Sequence, residues 1–67
     1  MRQVATLQFV DEDSRDDAVV IVQAEGGHVG LTLSLRKDGD VMVVFTLADF
    51  ESLLAALQEA HLIAKSN

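Results

Sequence analysis

Two glycine turns bracket the most regular stretch of this chain, and they leave it few folds to choose from. Between Gly26-Gly27 and Asp38-Gly39 runs Val29 to Arg36 (VGLTLSLR), where Val29, Leu31, Leu33 and Leu35 alternate with Gly30, Thr32, Ser34 and Arg36. Strict alternation of apolar and polar residues marks a strand with one buried face. Gly-Gly permits the positive φ angles of tight hairpins, and Asp-Gly at the centre of Lys37-Asp38-Gly39-Asp40 is a type I′ signal. A strand entered and left by tight turns must pair antiparallel with the segments on either side.

Those segments read as strands in their own right. Ala18 to Ala24 (AVVIVQA) and Val41 to Phe45 (VMVVF) are apolar at consecutive positions and rich in β-branched residues, as strands covered on both faces are. Upstream, Val4 to Val10 (VATLQFV) alternates, with Ala5, Leu7 and Phe9 on one side. Asp11 to Asp17 (DEDSRDD) fits neither period and is expected to be a loop. From residue 47 to 64 the period changes to helical: Leu47, Phe50, Leu53, Leu54, Leu57, His61 and Ala64 share a face. Thr46 is placed to cap this helix, and Asp49, three residues on, resembles the far side of a capping box. The expected architecture is a single α+β domain over residues 1–67. It has four antiparallel strands in a meander (about 4–10, 18–24, 29–36 and 41–45) and then one C-terminal amphipathic helix on one sheet face, ββββα.

One helix covers one face of such a sheet. The second and fourth strands carry apolar residues on both sides, so Val20, Val22, Met42 and Val44 are expected to remain open and to form a dimer interface. Each such side chain left in water forgoes on the order of 1.5–3 kcal/mol, a large loss for a domain whose whole stability is about 5–15 kcal/mol. A 67-residue chain without cysteine has no disulfides to offset it, and a second copy is the commonest remedy.

Five cations against eleven acids give a net charge of −6. That balance repels nucleic acid and anionic membranes and suits a basic partner. No apolar run approaches the ~20 residues of a membrane-spanning helix, and no basic-then-apolar leader opens the chain. The expected location is the cytoplasm, and the scarcity of lysine beside many alanines, valines and aspartates points to a GC-rich bacterial or phage genome.

Chemistry-bearing constellations are few. The acids Asp11, Glu12, Asp13, Asp16 and Asp17 form the one charge cluster and are the expected partner-binding residues. As a calcium loop they fail: Arg15 takes a ligand position, Asp16 stands where a glycine belongs, and no glutamate closes the loop. His28 and His61 lie on different segments with no metal-pair spacing. Gly26-Gly27-His28-Val29-Gly30 precedes a strand, whereas a phosphate loop opens a helix. No catalytic residue, metal or cofactor is therefore expected.

The stretch Val44-Phe45-Thr46-Leu47-Ala48-Asp49-Phe50-Glu51-Ser52-Leu53, after four strands, resembles the single-stranded-DNA-binding transcriptional coactivator and Whirly-type domains. These close a meander with a T-L-x-x-aromatic-x-x-L helix start and dimerise. The resemblance implies a single-stranded nucleic-acid-binding dimer. Such domains need basic sheet residues and stacking aromatics, whereas here the cations are Arg2, Arg15, Arg36, Lys37 and Lys65, and Trp and Tyr are absent. The leading expectation is thus a small acidic, non-enzymatic, homodimeric module that binds or inhibits a basic or nucleic-acid-binding protein. The alternatives are the nucleic-acid-binding dimer and a small-ligand or metal sensor at a dimer interface, using His28 or His61.

Overall fold

The computed structural model describes residues 1–66. Four strands, β1 (Arg2–Val10), β2 (Asp17–Glu25), β3 (His28–Leu35) and β4 (Gly39–Thr46), are followed by one helix, α1 (Leu47–Lys65). The strands form one antiparallel sheet in the order β1-β2-β3-β4, the expected meander. In β1 the register slips between Gln3 and Ala5, leaving Val4 as an extra residue in a bulge.

Both turns differ in detail from the sequence expectation. At Gly26-Gly27, Gly27 alone takes a positive φ, of 81°. At the second turn the Asp38 N–H donates to the Leu35 carbonyl at 3.1 Å, so Arg36 and Lys37 are the central residues. Gly39 follows at φ 84° and pairs with Leu35. This is a three-residue connection closed by a left-handed glycine, rather than a type I′ turn centred on Asp38-Gly39. A type I turn followed by a left-handed residue meets the strands' right-handed twist, and it spares Asp38 a positive φ.

The helix starts with no intervening loop. Thr46 is extended (φ −66°, ψ 160°), and its hydroxyl accepts from the Asp49 N–H at 3.2 Å, satisfying one of the helix's free donors. The Leu47 N–H donates to the Gly27 carbonyl at 3.0 Å and pins the helix start to the β2–β3 turn. The Phe50 ring meets the Phe45 ring edge-on, with centroids 6.1 Å apart. Contact between helix and sheet is limited to β3 and β4. No residue of α1 is buried. Among the described residues, Ala18 is the sole buried hydrophobic side chain, at 6% exposure.

A candidate interaction surface

Paired residues of an antiparallel sheet share a face, so the register divides the side chains into two sets. The first face is apolar except for Arg2, which joins it at the corner beside Ala24. Phe9, Ala18 and Leu35 make one row across the strands; Leu7, Val20, Leu33 and Val41 make the next; Ala5, Val22, Leu31 and Val43 a third; Ala24, Val29 and Phe45 the last. The contact between Phe45 and Phe50 puts the helix on this face, at its last row. The other rows stay open: Leu7 is 56% exposed, Leu33 58% and Val41 65%. Around Ala18 the face dips into a concavity of about 520 Å³ whose walls include Phe9, Val20, Leu33, Leu35 and Val41, with Asp11 and Asp38 among its lining.

The second face is mixed. Gln8, Val19, Ser34 and Asp40 make one row, Thr6, Ile21, Thr32 and Met42 another, and Gln3, Gln23, Gly30 and Val44 a third. Gly30 is buried there because the Met1 and Met42 side chains close over its backbone: a Cβ at Gly30 would lie 3.2 Å from Met1 Sδ and from Met42 Cε. Ser34 donates to Asp40 at 2.6 Å, and Gln3 to Thr6 at 2.7 Å.

The expected interface residues are therefore not on one surface. Val20 and Val22 share the apolar face with Leu7 and Leu33, while Met42 and Val44 project from the mixed face. The reason is parity: Val20 pairs with Leu33 and Thr32 with Met42, which puts the two pairs on opposite sides. Leu33 and Val41, prominent in the open face, are not among the expected interface residues. Counting pairs outward from Gly26-Gly27 would have brought Leu33 to Val20.

The acidic segment is structured from within. One Asp11 carboxylate oxygen accepts from both the Ser14 N–H (2.9 Å) and the Ser14 hydroxyl (2.6 Å). These bonds, chiefly the one from the Ser14 hydroxyl, hold the Asp11 carboxyl below the usual aspartate range. The Asp11 N–H donates to the Asp16 carbonyl and the Arg15 N–H to the Asp11 carbonyl, both at 2.8 Å. The Asp16 carboxylate accepts from the Asp17 and Lys37 N–H groups, each at 2.9 Å, tying this loop to the β3–β4 turn. Asp17, at the start of β2, lies 3.4 Å from Arg36, and Glu12 lies 3.2 Å from Arg15; both ion pairs are exposed. Asp11, Asp16 and Asp17 thus shape the loop, whereas Glu12 and Asp13 are its outward acids.

The histidines stay apart in role. His28 Nδ1 lies 3.3 Å from the Gly26 carbonyl at the turn, and His61 is exposed on the helix. Among the described residues, no three His, Cys, Asp or Glu side chains come together as a metal site, and no helix is long and apolar enough to cross a membrane. No protein-family model, characterised protein or solved structure matches this chain.

Proposed function

We propose that this chain is a non-enzymatic protein-interaction module that works as a homodimer and presents its acids to a basic protein partner. One observation carries the first half of this reading: the apolar face is left uncovered by the chain's own helix. The chain exposes 5275 Å², whereas a folded monomer of this mass is expected to expose about 4,200 Å². The excess, about 1,100 Å² per chain, would correspond to about 2,200 Å² in a dimer, which falls in the size range of obligate homodimer interfaces. Exposed apolar side chains that line up in one row across neighbouring strands, as Leu7, Leu33 and Val41 do, mark an interaction site rather than ordinary scatter. The second half rests on the net charge of −6 and on the outward acids Glu12 and Asp13.

Sedimentation of the isolated chain tests the reading. It should run as a dimer at micromolar concentration, with a melting temperature that rises with concentration. A monomer with a concentration-independent transition would overturn it.

A further inference from the structure

We infer that the open apolar face of each chain is covered by the helix of the second copy, so that two chains exchange helices across one twofold axis. The inference rests on the homodimer reading and names its interface. A single chain carries two apolar surfaces without partners: the sheet face around Leu7, Leu33 and Val41, and the helix stripe continued by Leu54 and Leu57, which are 42% and 53% exposed. Beyond Phe50 the helix continues for 15 residues, about 22 Å, long enough to cross the open rows of a sheet whose strands lie about 5 Å apart.

The chain's own helix is held at the last row of that face and leaves the other rows open. Its start is fixed by the bond from Leu47 to Gly27 and by Phe50 against Phe45, both at the end of the sheet farthest from Ala18. A second copy removes the conflict, because its helix approaches from outside and can lie along the open rows. A leucine such as Leu57 then has the concavity over Ala18 to enter. Direct stacking of two apolar faces is the poorer solution: the helix's first turns stand on the face, and Leu54 and Leu57 would stay in water. The mixed face is poorer still, since Gln3, Gln8, Gln23, Thr6, Thr32 and Ser34 interrupt its apolar residues. Reciprocal exchange uses the same two patches on both chains and closes the assembly at two.

The absence of cysteine allows a direct test. Chains carrying Leu33→Cys are refolded with differently tagged chains carrying Leu57→Cys and oxidised. Each variant is also oxidised alone, with Val44→Cys as the mixed-face control, and the wild type is sedimented in parallel. The expected result is a wild-type dimer together with a mixed disulfide several-fold more abundant than any self-linked product. A dimer that links chiefly through Leu33→Cys with itself, Val44→Cys with itself or Leu57→Cys with itself overturns the exchange and leaves the dimer standing, as does a dimer that links through none of them. A monomeric wild type overturns both.

Discussion

Phe50 meets Phe45 edge to face, with ring centroids 6.1 Å apart and ring planes at 69°, and this pair fastens the helix to the sheet. Aromatic pairs of this geometry are worth about 0.5–1.5 kcal/mol beyond the area they bury. Phe50→Leu keeps an apolar side chain but loses the ring contact, so it should lower stability by about 1 kcal/mol. Thr46→Ala, which removes the hydroxyl that accepts from Asp49, should cost about 1 kcal/mol by a separate route. Urea unfolding of each variant at fixed chain concentration checks both values. A Phe50→Leu midpoint equal to that of the wild type would mean that the helix is held elsewhere.

Among the described residues, three lie in the left-handed region: Gly27 at φ 81°, Gly39 at φ 84° and Arg15 at φ 64°. Glycine accepts that conformation freely, while a residue with a Cβ is strained there by roughly 1–2 kcal/mol. Gly39→Ala should therefore destabilise by about 1 kcal/mol or more, although the added methyl would meet nothing within 4 Å. Arg15→Gly should act in the opposite sense and stabilise by up to about 1 kcal/mol, offset in part by the freer unfolded chain. Its ion pair with Glu12 is exposed and contributes little against this. Thermal melts of the two variants should shift in opposite directions.

What the residues disclosed in advance follows from the same physics. Alternation in Val29–Arg36 and tight turns on either side dictate an antiparallel meander, and the observed strand order is that meander. Thr46 before a helical stripe marks the helix start, and it is the observed cap. Alternation specifies which residues of one strand share a side. It does not specify which side of the next strand they join, because that depends on turn length; hence Met42 and Val44 parted from Val20 and Val22. The path of the helix was illegible for a different reason. It is set by a continuous strand-to-helix junction at Thr46-Leu47 and one ring contact, neither of which is periodic. The acidic segment read as plain charge because its order comes from Asp11, Ser14 and Asp16 bonding one another, a three-dimensional arrangement that composition does not encode.

The bonds from Ser14 to Asp11 have a pH consequence. The folded carboxyl titrates below its value in the unfolded chain, so its contribution is fully present above the unfolded-state pKa and is lost as pH falls through the folded one. The pH dependence is confined to the acid side of the ordinary aspartate range; at neutral pH the contribution is present in full and does not vary with pH. In Ser14→Ala the hydroxyl donor is gone, and the Asp11 midpoint, followed by carboxyl NMR, should rise towards the ordinary aspartate value. The acid limb of the stability profile should soften with it. An unmoved midpoint would show that the backbone N–H groups of Asp13 and Ser14 set it.

The two groups of acids in the Asp11–Asp17 segment should respond differently to neutralisation. Asp11 and Asp16 accept hydrogen bonds that hold the loop and join it to Lys37, so Asp11→Ala with Asp16→Ala should lower the melting temperature measurably. Glu12→Gln with Asp13→Asn removes two outward charges and leaves those bonds in place. Its melting point should stay within the change expected of surface substitutions, about 0.5 kcal/mol. If these acids steer a basic partner, this second variant should bind a cationic probe such as a polylysine peptide with a slower association rate, and the difference should shrink as salt is added. Single-stranded DNA is the opposing probe. With −6 net charge and neither Trp nor Tyr to stack on bases, the wild type should show no binding tighter than ~10 μM at physiological salt. Equal association of polylysine with the wild type and with the Glu12→Gln, Asp13→Asn variant would remove the acidic loop from the partner surface. Submicromolar, steeply salt-dependent binding of the DNA would instead favour the nucleic-acid-binding dimer.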